Sequence, residues 1–300
     1  MGLDIQAVKF LLHSAGAGVN YRRTATLARQ TMMAHPAQLA GLSPTTSSSS
    51  ALPAWSEVAA TTGQFTEPFW KFLGAEEIVS FDASPFEQAT VVHDMNQPLP
   101  PGYAARFDTV VDSGTLEHIF NLPVALRNAM ELVALGGHLI IITPTNNFTG
   151  HGFYQFSPEL FWRTLAPANG FRIKRMLVAE CFPDAWWYEV PDPATVGRRV
   201  TVESRYWTHL FIIAERTELV EIFRETPQQS DYDAMWKTHA DGTAPSSSSA
   251  SLPAPQSRWA RRRARWLKSL SYRWIKFSKF GGKEREFAWK TALLRRVTLD

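Results

Sequence analysis

The sequence predicts an α/β fold, a doubly wound and mostly parallel sheet with helices on both faces, followed by a basic helical tail. Three observations carry that prediction. Short runs that are apolar at nearly every position and rich in β-branched residues recur between residues 77 and 214, as strands buried on both faces would. Stretches with apolar residues at helical spacing lie between them, which is the alternation of a doubly wound domain. Residues 257–300 hold 14 Lys and Arg against three acids, whereas the preceding chain holds 17 bases and 25 acids, so a mildly acidic body carries a strongly basic end.

The N-terminal stretch admits two readings. In one, Ala7–Leu12 is a strand and Ser14-Ala-Gly-Ala-Gly18 is a glycine loop of the phosphate-binding kind. In the other, residues 4–14 are helical and Thr24–Ala28 is the first strand, running into Arg29 and Gln30. The second is favoured, because a lone Gly-x-Gly is weak and the basic Tyr21-Arg-Arg23 is a poor start for a helix behind such a loop. Later strands are expected at Glu77–Phe81, Ala89–Val92, Phe107–Val111, His138–Thr143, Phe171–Val178 and Trp207–Ala214. A helix is expected over Leu122–Leu132, stopped before Gly136-Gly137. Another begins at Pro158, with Ser157 as its N-cap and proline in the first helical position.

Two Ser/Pro-rich tracts, residues 43–55 and 243–255, offer little to bury and read as exposed connections. The expected organisation is a domain over residues 1–220 with a surface excursion at 43–55, a linker over 221–257, and a tail over 258–300. At 45% hydrophobic and 20% charged residues, the 300-residue chain is globular. One cysteine, Cys181, excludes an internal disulfide and a cysteine-rich zinc cluster, and fits a reducing compartment. No apolar run approaches the length of a membrane span, no secretory leader is read, and a cytoplasmic location is expected.

Doubly wound sheets bind ligands beyond the C-terminal ends of their strands. Those ends carry Asp82, Asp94, and Asp112 with Ser113 and Gly114. A carboxylate can accept from two vicinal ribose hydroxyls, a second acid one strand along suits an amino group on a base, and a small Ser-Gly pair allows close backbone approach. A single Asp is more commonly a turn or cap residue. The loop after the strongest strand packs Asn146, Asn147, His151, Tyr154 and Gln155 around Gly150 and Gly152. It reads either as an acceptor site, with His151 or Tyr154 as general base, or as a loop stapled by its own side chains.

The run Phe107-Asp-Thr-Val-Val-Asp-Ser-Gly-Thr-Leu-Glu-His-Ile-Phe120 resembles the fourth-strand motif of class I S-adenosylmethionine-dependent methyltransferases. Ala129–Pro144 is similar to their helix, glycine turn and fifth strand, and Phe156–Leu165 with Asn169-Gly-Phe171 to the next helix and strand. The resemblance spans roughly residues 75–180. It implies a Rossmann-like, seven-stranded sheet with Trp207–Ala214 as the antiparallel last strand, and S-adenosylmethionine as cofactor. Arg29, Gln30, Asp82, Asp94, Asp112, Ser113 and Gly114 would lie along that cofactor, with His118, Asn146 and Asn147 on the acceptor and His151 and Tyr154 as catalytic groups. The acceptor class is a small molecule or a glycan, and no metal is expected. The chain departs from the family where its Gly-x-Gly-x-Gly loop would follow the first strand. There it reads Ala28-Arg29-Gln30-Thr31, so a degenerate fold kept as a binding or scaffolding module stands as the alternative.

On a helical wheel, residues 258–280 place Trp259, Trp266, Leu267, Leu270, Trp274 and Phe277 on one face. Arg258, Arg261, Arg265, Lys268, Lys276 and Lys279 lie opposite. This predicts a helix attached to an anionic membrane surface; folding against RNA, or docking on the body, are the alternatives.

Overall fold

The computed structural model describes residues 2–44, 53–197, 199–232 and 294–299. The amphipathic segment 258–280, the second Ser/Pro tract and most of the first lie outside the described residues.

The N-terminal ambiguity resolves in favour of a helix. Strand β1 (Gly2–Leu3) leads into α1 (Ile5–Gly16), where the Asp4 carboxylate accepts the Ala7 N–H at 2.8 Å as N-cap, and Val8, Phe10 and Leu11 are buried. A side-chain cap and an apolar face at helical spacing together outweigh the strand reading of a short, nearly continuous apolar run. The first long strand is β2 (Arg23–Leu27), followed by β3 (Thr31–Met32), which pairs with β1 in a separate two-stranded ribbon. Three short helices, α2 (Pro36–Ala40), α3 (Trp55–Ala59) and α4 (Glu67–Phe72), make the crossover to β4 (Glu77–Asp82). The Trp55 indole donates to the Leu39 carbonyl at 2.9 Å, tying together the two sides of the Ser/Pro excursion.

The remaining elements are β5 (Val91–Val92), β6 (Phe107–Ser113), α5 (Leu122–Leu132), β7 (Val133–Asn146), α6 (Pro158–Thr164), β8 (Phe171–Glu180), β9 (Trp187–Glu189), α7 (Pro193–Val196), β10 (Thr208–Arg216) and β11 (Arg295–Val297). The main sheet has the order β11-β9-β8-β10-β7-β6-β2-β4-β5. From β5 to β7 the strands are parallel, and β10 runs antiparallel between β7 and β8. The seven expected strands are all present, with the last one antiparallel as expected.

Two more strands extend the sheet to nine. The body of the tail was expected to be helical, yet its end forms β11, antiparallel to β9. Charge and an aromatic face draw it there: Arg295 stands 3.8 Å from the Glu189 carboxylate, and the Arg296 guanidinium lies 3.2 Å over the Trp186 ring.

Neighbouring residues of each central strand feed opposite faces, as the strand period requires. Val110, Leu139, Ile141, Leu210 and Ile212 pack with Leu126, Met130 and Phe161 of α5 and α6. Val111, Ile140, Ile142, Phe211 and Ile213 pack with Phe10, Leu11, Phe69 and Trp70 of α1 and α4. Among the described residues, no helix is long and apolar enough to cross a membrane.

The bottom of the sheet is fastened by Arg23, whose guanidinium grips Asp108 at 2.7 and 3.0 Å across β2 and β6. Those hydrogen bonds hold the Asp108 carboxyl below the ordinary range for an aspartate. A depressed folded-state pKa contributes stability above the unfolded value and loses it as pH falls through the folded value. Asp108→Asn should therefore melt lower than the wild type at neutral pH, with the gap closing below roughly pH 4. Melting curves over that range check it; a gap that does not narrow would assign the loss to packing.

Candidate active site

The strand register sets the floor of the site. Leu27 pairs with Phe81 and Asp112, and Ser113 with Ile142, so Ala28, Asp82, Gly114 and Thr143 stand near one edge of the sheet. At the end of β2, Ala28 has φ +58°, the left-handed backbone a glycine would take without strain, and its N–H donates to the Phe81 carbonyl at 2.7 Å. Arg29 is committed locally: Nε donates to Glu67 at 2.6 Å, Nη1 donates to the Glu87 carbonyl at 3.0 Å, and the guanidinium lies 3.7 Å over Phe65. Gln30 is buried, its amide N–H donating to the Leu27 carbonyl while its Oε1 has no partner among the described residues.

Asp82 is half-buried at the end of β4, with one carboxylate oxygen accepting the Ser84 N–H at 3.1 Å. Asp94 is exposed, and hydrogen bonds from the backbone and side chain of Asn96 hold its carboxyl below the usual range. Asp112, expected beside a cofactor, faces inward instead. It is fully buried, one oxygen accepts the N–H groups of Thr115 and Leu116 at 3.0 and 3.3 Å, and burial pushes its carboxyl well above the aspartate range. The cause is register, since Asp112 lies one residue below the sheet edge. There it caps the 3₁₀ turn Leu116–His118.

That turn carries the group the sequence reading passed over. Glu117 is fully buried; its Oε2 accepts the Thr143 hydroxyl at 3.3 Å, and its Oε1 has no hydrogen-bond partner among the described residues. Burial raises its carboxyl to about 7. The loop after β7 closes over it. Phe153 and Tyr154 donate their N–H groups to the Glu117 carbonyl at 2.8 and 3.2 Å, and Gly152 passes so close that a Cβ there would stand 2.8 Å from the same oxygen. The closure brings His151 Nε2 to 3.8 Å from Glu117 Oε1 and its ring to 5.1 Å from His118. Glu117, His118 and His151 then offer donor atoms all within 4.8 Å of one another, a set that was not expected because it is split between two segments of the chain. Burial and the neighbouring His151 lower the His118 pKa below the ordinary imidazole range.

The other loop residues act as staples. Tyr154 donates its hydroxyl to the Phe120 carbonyl at 2.7 Å, a bond that keeps the proton on its oxygen and so opposes the general-base role expected for it. Asn146 donates to the Val202 carbonyl at 2.7 Å, and Asn147 to the Tyr206 carbonyl at 2.8 Å, so both turn toward residues 202–206 and away from the loop's open side. Around the histidines, Phe120, Phe153 and Trp207 are left largely exposed, with Phe120 and Phe153 edge to face at 5.8 Å. Surface clefts of about 170 and 450 Å³ lie elsewhere, along β8, β9 and β11.

A family model described as a methyltransferase domain matches residues 44–208, more than half of the chain. The chain belongs to that family. The methyltransferase uses S-adenosylmethionine as methyl donor, as the family does. A search of curated proteins finds no match. Among solved structures, the 1,6-didemethyltoxoflavin-N1-methyltransferase of Burkholderia thailandensis is 14% identical, with 71% of this chain and 78% of that one covered and a TM-score of 0.37. The N-methyltransferase NodS of Bradyrhizobium japonicum is 12% identical, covering 71% and 95%, with a TM-score of 0.39. The branched-chain polyamine synthase of Thermus thermophilus is 12% identical, covering 76% and 60%, with a TM-score of 0.38.

The donor set of the methyltransferase fits the cofactor's nucleoside side. Asp82 keeps a carboxylate oxygen with no protein donor among the described residues, and Asp94 is held charged. At the end of β2 the guanidinium of Arg29 is already engaged by Glu67, and the Gln30 side-chain oxygen has no partner among the described residues.

Proposed function

We propose that the methyltransferase modifies an oxygen or nitrogen of a small, flat or apolar molecule, held against Phe120, Phe153 and Trp207. The observation that supports this most is the shared edge: an accessible Asp82 carboxylate on one side, and the buried Glu117 with two imidazoles on the other. S-adenosylmethionine supplies an electrophilic methyl carbon, and its transfer releases S-adenosylhomocysteine. Asp82 accepts from ribose hydroxyls, Asp94 from the adenine amino group, and Gly114 lets the backbone come close. The Glu117, His118 and His151 cluster handles the proton that the acceptor loses as it attacks. Exposed aromatic rings give such an acceptor a stacking surface at little ordering cost.

Calorimetry with S-adenosylhomocysteine tests the cofactor half of the reading. Binding by the wild type is expected, and Asp82→Ala should weaken it roughly 10- to 100-fold, the worth of a hydrogen bond to a charged group. Absence of heat from the wild type at millimolar ligand would favour the binding-module alternative.

A further inference from the structure

We propose that Glu117, His118 and His151 form a binding site for one first-row divalent transition ion of the zinc class, with open positions facing the acceptor. This deepens the reading of the cluster as the acceptor side, and it rests on that reading for its purpose though not for its geometry. The ligand set is one carboxylate and two imidazoles. That combination suits zinc, iron or manganese better than magnesium or calcium, which prefer all-oxygen shells.

Four features point to a site built to hold an ion. The Glu117 side chain is fully buried, and its unpartnered Oε1 is directed at His151 Nε2, 3.8 Å away. A buried carboxylate oxygen without a donor is costly unless something positive meets it. The other oxygen takes the Thr143 hydroxyl at 3.3 Å, a partner that orients the carboxylate as outer-shell groups do at metal sites. The loop bearing His151 is clamped onto the turn bearing Glu117 and His118 by two backbone hydrogen bonds to the Glu117 carbonyl. Phe148 packs 5.4 Å from the His151 ring and stacks on His209 at 4.9 Å, which backs the imidazole from behind.

Three ligands at about 2.1 Å from a tetrahedral ion would stand roughly 3.4 Å apart. The present separations reach 4.8 Å, so the set must tighten. Both imidazoles are exposed and can turn inward, whereas Glu117 is already fixed. Three protein ligands leave one or more positions for water or an acceptor hydroxyl, the arrangement of catalytic sites as opposed to closed structural ones. An ion there would polarise that hydroxyl and lower its pKa, so that its proton would pass to solvent water at the open side of the site as the oxygen becomes the nucleophile.

The test uses the tag-free, full-length chain stripped of metal, titrated with Co²⁺ by visible absorption and with Zn²⁺ by calorimetry. One ion per chain is expected, with Co²⁺ bands of a low-coordinate site. His151→Ala and His118→Ala should each weaken binding by more than the roughly 10- to 100-fold that loss of an outer-shell partner costs. His151 is exposed, so its variant should melt with the wild type, and the result does not depend on whether Glu117→Gln folds. Asp82→Ala should bind the ion normally. No saturable ion binding, or binding unchanged in both histidine variants, overturns the metal site. S-adenosylhomocysteine titrated in parallel separates the two readings. Heat with that nucleoside and none with the ion sinks the metal site alone, and the reverse sinks the cofactor reading while the site stands.

Discussion

Arg216→Ala is expected to destabilise the fold by about 2–4 kcal/mol, the range for losing hydrogen bonds from a buried charged group and leaving their carbonyl acceptors unpaired. Arg216 ends β10, is 5% exposed, and its Nη1 donates to the carbonyls of Met130, Glu131 and Val133 at 3.3, 3.1 and 2.7 Å. These carbonyls close α5, which has no basic residue of its own in its last turn. A strand thus supplies the cation that the helix C-terminus lacks, both as hydrogen-bond donor and as a charge at the negative end of the dipole. Burial draws the guanidinium's pKa down, yet the group stays charged at any working pH. Chemical denaturation measures the loss. Arg216→Lys should recover only part of it, since an ammonium cannot reproduce the planar fork. A loss below about 1 kcal/mol in the alanine variant, the size of one ordinary hydrogen bond, would mean that water replaces the arginine.

Gly170→Ala should cost about 2–5 kcal/mol, the sum of left-handed strain and overpacking. Gly170 has φ +72°, and a Cβ there would stand 2.3 Å from the Glu218 carbonyl oxygen. The same glycine's carbonyl accepts the N–H groups of Thr217 and Glu218 at 2.8 and 3.2 Å, pinning the exit of β10 to the start of β8. Backbone meets backbone, so no side-chain rotation relieves the clash. Gly136→Ala is the control: its φ is +74°, but a Cβ would meet nothing within 4 Å. It should lose only the strain, about 1–2 kcal/mol. Equal melting temperatures for the two variants would refute the steric argument.

What was legible in the sequence was local. The bounds of α5 and the cap at Ser157 follow from signals within a few residues, and the structure reproduces both, with the Ser157 hydroxyl accepting the Glu159 N–H at 3.3 Å. The apolar strand runs predicted the sheet because burial on both faces leaves a pattern in each strand by itself. The site was less legible because its side chains take distant partners. Asn146 and Asn147 look like acceptor ligands in sequence, yet their amides are used by residues 202–206. Asp112 and Asp82 look alike as strand-end acids, and one step of register separates a buried turn cap from an accessible carboxylate. Glu117 is the reverse case. An acid beside a histidine reads as solvated surface until the distant loop carrying Phe153 and Tyr154 is seen to close over it. The short strands β9 and β11 were missed because neither is apolar enough to mark itself, and β11 finds its partner β9 only across more than a hundred residues.

Ala28 is one base change from glycine in the genetic code. Its backbone already stands at φ +58°, in the left-handed region that glycine enters without strain. Shape and residue identity have therefore come apart at this position. The curve of the chain is set by the sheet beneath it, through the hydrogen bond from Ala28 to the Phe81 carbonyl, and the alanine Cβ bears the left-handed strain that a glycine would avoid. A search for descent through this loop should follow the turn and not the letters. Ancestral or sister sequences with glycine at residue 28 would then differ from this chain in conformational ease, with the path of the main chain unaltered.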